Sequence, residues 1–351
     1  MHWIGVDCHK WQHTAALLND QGQILDWWQG DTTPAGWQDL LQWVQGVGDE
    51  RQWGLEGSGN YGRGLAQFLV TQGEVVYEVN TRLTVLGRRG RGRLDKSDQQ
   101  DAVAIAAVVR AQAVRLPRIQ AEDISAILAL LTHERDDLQA AATRVRNQLH
   151  ALIQQLEPGQ PKARLQRPAD LEQWQMYEIP GASPLDQVRV EQVRRRARQL
   201  AELVGEIDGL EQQIRDTAPA VAAPLIEIVG VGLLTAGMLA GYLGPGRRFA
   251  SERQLAAYAG VAPLEVSSAG RVRHRLNRNG HRQLNAIMHR IALSQVRHSA
   301  EAKTYVAKRR AQGKSYRDAI RALKRYIVRR IYRQWQRCLP LLSPEPERMI
   351  A

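Results

Sequence analysis

The feature that most constrains this chain is the order in which its hydrophobic periods change over the first third. Residues 3–8 (Trp-Ile-Gly-Val-Asp-Cys), 12–19 and 23–29 read as short strands, with Asp20-Gln21-Gly22 as the turn between the last two. At 34–47 the period becomes helical, because Trp37, Leu40, Leu41 and Val44 fall on one face. A strand then ends at Glu56, a helix occupies about 61–72, a strand 74–79, and another helix opens near Ser97. Three meandering strands are thus followed by helix, strand, helix, strand and helix.

That order resembles the α/β ribonuclease-H-like (RuvC-like) fold shared by RuvC-type resolvases and many transposases. In that fold the first and fourth strands are neighbours. Asp7, near the end of the first, and Glu56, closing the fourth before Gly57-Ser58-Gly59, are therefore expected to converge at one sheet end. Ser97 is expected to cap the last helix, whose first turn carries Asp98 and Asp101 on one face. The helix dipole alone also favours acids there. Four carboxylates from three elements form a hard, oxygen-rich set suited to Mg²⁺ or Mn²⁺. Such ions grip a phosphodiester and stabilise its attacking and leaving oxygens. Asp95 is expected in the preceding loop, outside the set. Alternation along the strand puts His9 on the Asp7 face, either bordering the site or packed as an ordinary histidine. Lys10 is placed either to touch a phosphate or to stand solvated at the strand end.

Charge points to the same class of partner. The 351 residues carry a formal net charge of +12, and a protein this basic commonly faces a polyanion, whose condensed counterions it releases. No apolar run is long enough to span a bilayer, and the N-terminus reads as a strand rather than a signal peptide. Cys8 and Cys338, at opposite ends, offer neither a disulfide framework nor a zinc spacing, which fits a reducing cytoplasmic setting. The Gly/Arg run Arg88-Arg89-Gly90-Arg91-Gly92-Arg93 lies just before the Asp98 helix, where it can follow a nucleic-acid backbone.

Beyond this domain, taken as 1–120, residues 121–220 are expected to form a helical or coiled-coil connector. An apolar stripe from Ile124 to Leu156 and a second helix at about 185–216 read as an antiparallel hairpin or a dimerising coiled coil. Residues 221–351 form the third, mainly α-helical region. There Gly230-Val231-Gly232 before an apolar helix resembles the turn of a helix-hairpin-helix unit, in which backbone N–H groups meet phosphates. The loop Ser267-Ser268-Ala269-Gly270 is followed by Arg271, Arg273, Arg275 and Arg278, which can offset phosphate charge around a hydroxyl. From residue types alone, serines in such a loop are most often turn or cap residues. From 281 onward the chain reads as basic helices beginning near Arg282. In the last of them Ala319, Leu323, Ile327 and Ile331 form an apolar face, and the basic side chains are expected to point outward.

Two separated blocks of these residues resemble the DEDD-type insertion-sequence transposases, understood as bridge-RNA-guided serine recombinases. The first holds Gly5-Val6-Asp7, Glu56-Gly57-Ser58-Gly59 and Lys96-Ser97-Asp98-Gln99-Gln100-Asp101-Ala102. The second holds Gly230-Val231-Gly232, Leu255-Ala256-Ala257-Tyr258-Ala259-Gly260, the serine loop, Asn279-Gly280 and the tail from Tyr305 to Tyr332. The resemblance implies that Asp7, Glu56, Asp98 and Asp101 hold Mg²⁺ and that a serine attacks DNA to form a 5′-phosphoserine link. The family serine commonly stands directly before glycine. Here alanine intervenes, which makes Ser268 the first choice and Ser267 the second. Donor and target DNA, a structured guide RNA and a homo-oligomer are the implied partners. Two other readings stand beside it: a metal-only nuclease or junction resolvase in which water attacks, and a non-catalytic nucleic-acid binder whose acids cap helices.

Overall fold

The computed structural model describes residues 1–48, 50–81, 83–84, 97–159, 161–262, 264–268, 271–275 and 280–342, with 264–268 and 271–275 described by backbone alone. The chain forms two compact units. One comprises Met1–Ser125, Pro224–Val231 and Leu243–Ala351; the other comprises Ala126–Ala223 and Gly232–Tyr242.

The first unit contains β1 (His2–Cys8), β2 (Gln12–Leu18), β3 (Ile24–Asp31), α1 (Pro34–Trp43), β4 (Arg51–Glu56), α2 (Arg63–Thr71), β5 (Val76–Val79) and α3 (Asp98–Gln112). The strands make one mixed sheet in the order β3-β2-β1-β4-β5. The meander pairs antiparallel, whereas β1–β4 and β4–β5 pair parallel across the crossover helices. The central strand β1 is buried from Ile4 through Cys8, and its near-continuous apolar sequence matches cover on both faces. At the edge, β3 leaves Ile24 and Leu25 exposed. On one face of the sheet, Ile4, Val6, Leu17, Leu40, Trp53, Leu55, Leu65 and Leu69 form a continuous core.

Helix α3 covers the opposite face, and glycine decides how closely it lies. Gly5 and Gly54 are register partners on β1 and β4. A Cβ on Gly5 would stand 2.1 Å from the Ala102 carbonyl oxygen, and one on Gly54 2.3 Å from Val109 Cγ2. Two adjacent bare backbones therefore make a flat seat for the Ala102–Val109 stretch. Ser97 caps this helix, accepting a hydrogen bond from the Gln100 amide at 3.3 Å.

The same unit continues with α8 (Glu252–Tyr258), a two-stranded antiparallel hairpin of β6 (Leu264–Ser268) and β7 (Arg271–Arg275), α9 (Arg282–His298), α10 (Ala300–Ala311) and α11 (Tyr316–Leu342). Ala319, Leu323, Ile327 and Ile331 are all buried, as the four-residue spacing predicts. Lys324 departs from the expected outward basic face: it is buried, and its Nζ donates to Asn285 Oδ1 at 2.7 Å. It stands four residues from both Ile320 and Val328, which are buried, so its helical row faces inward. This C-terminal region is tied to β5 and its neighbours. Arg248 pairs with Glu78, the Arg118 amide donates to the Arg248 carbonyl at 3.1 Å, and Gln254 Nε2 donates to the Leu116 carbonyl.

The second unit is built on α4 (Ile124–Leu156), α5 (Pro168–Gln175), α6 (Pro184–Ile226) and α7 (Leu233–Leu243), except for the end residues Ile124, Ser125, Pro224–Ile226 and Leu243, which belong to the first. Ala142, Val145, Leu149 and Ile153 of α4 share a core with Val193, Ala197, Leu200 and Val204 of α6, and Leu171 and Trp174 of α5 join it. The two long helices thus bury their apolar stripes against each other within one chain. In α7, Gly237 and Gly241 permit close crossings, since a Cβ would lie 2.5 Å from Ile214 Cγ2 and 2.7 Å from the Leu128 carbonyl oxygen respectively. Helix α6 also runs to Ile226, past the expected end near 216 and through Pro219 and Pro224. Each interior proline costs about 3 kcal/mol of helix stability. Burial of Ala218, Val221, Ala222 and Leu225 offsets that cost. Among the described residues, no helix is long and apolar enough to cross a membrane.

Candidate active site

The site starts from strand register. Asp7 of β1 and Glu56 of β4 are direct partners at the ends of parallel strands, so their side chains leave the sheet at the same edge. Because Gly5 and Asp7 are two residues apart, they face the same side of the sheet, the side that α3 covers. Ala102 lies over Gly5, so the first turn of α3, with Asp98 and Asp101, stands toward Asp7.

The carboxylates feel one another. Asp7 is buried, and desolvation holds its carboxyl above the usual range. The neighbouring His9 opposes that shift, whereas Asp101 and then Glu56 push it further up. His9 Nε2 lies 3.1 Å from Asp7 Oδ2 and 3.5 Å from Asp98 Oδ1, bridging β1 and α3. Asp7, His9 and Asp98 each bring one potential ligand atom within 4.8 Å of the others. Asp101 is buried and Asp98 is exposed, so the set runs from the sheet outward to solvent. The Thr84 hydroxyl, fully buried, lies 2.8 Å from the Thr81 carbonyl oxygen and 3.1 Å from Glu56 Oε2, where its one proton is shared between the two acceptors.

These residues fit a hard divalent cation. Mutual repulsion among buried acids is the condition that a bound cation relieves, and carboxylate oxygens are donors that a hard divalent ion takes. Two participants carry little or no signal in the sequence. His9 was legible through strand alternation, but nothing local distinguished a bridging histidine from a packed one. Thr84 carried no signal, since its role depends on a contact 28 residues away in sequence.

The remaining candidates are dispersed. Lys10 is exposed directly after His9. Arg282 is exposed in the first turn of α9, where the His281 ring accepts from the Leu284 amide at 3.2 Å. Gly230 adopts a positive φ of 87°, and a Cβ there would meet Ser294 at 3.0 Å, so packing as well as turn geometry requires glycine. Gly232 is exposed beside the start of α7. Ser267 and Ser268 lie in β6 rather than in the expected loop, and Ser268 pairs with Arg271 at the end of the hairpin. Arg271, Arg273 and Arg275 likewise belong to β7, because alternating Val266, Val272 and flanking polar residues give both segments a strand period. Arg88, Arg89, Arg91, Arg93, Asp95 and Arg278 lie outside the described residues.

Comparison with known proteins supplies the family. A model of DEDD transposases of the IS110 type, described as a transposase, matches residues 4–158. A second, described as the transposase IS116/IS110/IS902 family, matches 222–307. The first span includes all four acids and the second includes Ser268. Over 278 residues the chain is 29% identical to an uncharacterized 43.6 kDa protein of insertion element IS110 from Streptomyces coelicolor, covering 66% of this chain and 69% of that protein. An uncharacterized 42 kDa protein of insertion element IS900 from Mycobacterium paratuberculosis is 26% identical over 92% of both chains. A transposase for insertion sequence element IS1328 from Yersinia enterocolitica is 26% identical over 50% of this chain and 52% of its own length. With both family models matched in order, this chain belongs to the IS110 family of DEDD transposases and is an enzyme of DNA transposition.

Proposed function

We propose that the chain cuts and rejoins the DNA of an insertion sequence through a covalent serine intermediate, beside a divalent-cation site on a ribonuclease-H-like domain. The observation that supports this reading is that Asp7 and Glu56 are register partners at the ends of parallel strands, that Asp101 and Glu56 raise the Asp7 carboxyl, and that His9 lies against both Asp7 and Asp98. Asp7 and Glu56 would hold Mg²⁺, or Mn²⁺ in its place, from the strand ends, with Asp98 and Asp101 closing it from α3. When bound, such a cation neutralises charge on the scissile phosphodiester and polarises it.

The chain's own residues would do the rest. The Ser268 hydroxyl attacks phosphorus and loses its proton, an ester bond forms between Oγ and the 5′ phosphate, and the bond to the 3′ oxygen breaks with protonation of that oxygen. Attack by another strand's 3′ hydroxyl then releases serine and rejoins DNA. Arg271, Arg273, Arg275 and Arg278 carry charge suited to offset that of the phosphate. Lys10, Arg88, Arg89, Arg91, Arg93, the Gly230–Gly232 turn and Arg282 would contact the nucleic-acid backbone. A structured guide RNA would select sequence by base pairing, with the protein reading RNA shape. The regions 1–120, 121–220 and 221–351 would serve as cation-binding, connecting and serine-bearing parts, and the serine would reach the acids within a homo-oligomer. Denaturing electrophoresis of protein incubated with its element's DNA tests the covalent step. A protein–DNA adduct lost in Ser268→Ala supports it, and cleavage without any adduct overturns it. Sequencing RNA that co-purifies with the chain tests the guide.

A further inference from the structure

The turn between β1 and β2 holds an aromatic side chain that the carboxylate site does not use. Trp11 is 75% exposed, although tryptophan is ordinarily among the more buried residues. Its surroundings are fixed rather than loose. The His9 amide donates to the Gln12 carbonyl at 3.1 Å, the Thr32 amide to the Trp11 carbonyl at 3.0 Å, and the Thr32 hydroxyl to the His9 carbonyl at 3.1 Å. The first bond closes the turn, and the two from Thr32 brace it against the end of β3. The Lys10 ammonium lies 4.6 Å from the Trp11 ring centroid, an electrostatic contact with the ring face. Two residues before Trp11, His9 touches both Asp7 and Asp98. An open ring and a cation are therefore held at the rim of the acid cluster.

We infer that Trp11 and Lys10 form a stacking platform for an unpaired nucleobase of the DNA strand beside the cutting site. A large exposed ring in a braced turn contributes little to the core, so its free face is available to a ligand. The ligand chemistry follows from three features together. A base has a π face that stacks on indole whatever its identity, the adjacent ammonium suits the phosphate of the same nucleotide, and the chain carries a net charge of +12. The platform rests on reading the Asp7 edge as the place where DNA is cut. Its effect would be to hold the strand in register with the acids by stacking, without selecting sequence.

The test uses the full-length protein and a short single-stranded oligothymidylate carrying one iodouracil, without divalent cation so that binding is read apart from cleavage. Ultraviolet crosslinking followed by peptide mapping should place the adduct on the peptide containing Trp11. In Trp11→Ala the affinity, read by fluorescence anisotropy, should fall about tenfold. In Trp11→Phe, which keeps an aromatic face, most of it should remain. Crosslinks confined to other peptides, or an unchanged affinity in Trp11→Ala, overturn the platform. So does a change in sedimentation without a change in affinity, which would make Trp11 a contact between protein copies. Loss of cleavage in Asp7→Asn is a separate result, so the cation-site reading can stand while the platform falls.

Discussion

Gly5 of β1 lies directly beneath Ala102 of α3, so close that a Cβ on Gly5 would stand 2.1 Å from the Ala102 carbonyl oxygen and 2.3 Å from the Ala106 amide nitrogen. The obstructing atoms are helix backbone, which cannot rotate aside. Gly5→Ala should therefore lift α3 from the sheet, costing about 1–3 kcal/mol as overpacking. It should also draw Asp98 and Asp101 away from Asp7. Urea unfolding measures the first effect, and loss of divalent-dependent cleavage in protein that remains folded measures the second.

Asp7→Asn retains the shape of the side chain while removing its charge. Divalent-dependent DNA cleavage should fall at least about a hundredfold, the scale of losing a principal electrostatic contributor. Stability should stay level or rise, since a buried carboxylate repelled by Asp101 and Glu56 is no longer present. Cleavage at the original rate would remove Asp7 from the site.

Ser268→Ala should abolish the covalent protein–DNA adduct while leaving nucleic-acid affinity nearly intact. Ser267→Ala, one position earlier in β6, should retain the adduct. An adduct that persists in Ser268→Ala but vanishes in Ser267→Ala transfers the nucleophile to the neighbouring residue.

Arg248 ties the C-terminal region to the sheet. Its guanidinium pairs with Glu78 of β5, lies 4.9 Å from the Tyr258 ring centroid, and is mostly withdrawn from solvent. Arg248→Met leaves Glu78 without that cation and should cost about 2 kcal/mol, below the range for a fully buried pair because Glu78 is partly exposed. The double variant Arg248→Met/Glu78→Gln should recover part of the loss in denaturant titration.

His13 gives the fold an acid sensitivity. It is fully buried on β2, and burial lowers its pKa from 6.5 to about 4, with His9 adding to the shift. Its register partner is Cys8, whose thiol burial pushes up and keeps neutral. The unfolded chain binds a proton near pH 6.5 that the folded chain refuses until about pH 4. Stability is therefore lost as pH falls through that window, by about 2 kcal/mol at pH 5. His13→Leu should remove most of this slope in urea titrations, and an unchanged slope would assign the sensitivity to other groups.

The succession of elements in the first domain was legible because strand and helix periods differ and because each change is marked by a cap or turn. Ser97 capping α3 and the Asp20-Gln21-Gly22 turn are examples. The carboxylates were legible because they fall at element ends, where side chains escape the core. The end of α6 lies past the expected 216, because burial of Val221, Ala222 and Leu225 overrides the local stop signals of Pro219 and Pro224. The strand position of Ser267 and Ser268 was also hidden, because Ser-Ser-Ala-Gly reads locally as a turn and becomes a strand by pairing with β7.

Sequence by itself determined which segments are strands and helices in the first domain and where its acids stand along them, because periodicity and capping act over a few residues. Tertiary structure alone decided that Gly5 and Gly54 would be register partners beneath α3, that His9 would join Asp7 to Asp98, and that Thr84 would reach Glu56. Those relationships depend on strand pairing and on backbone approach between segments far apart in the chain, and no local propensity encodes such distances.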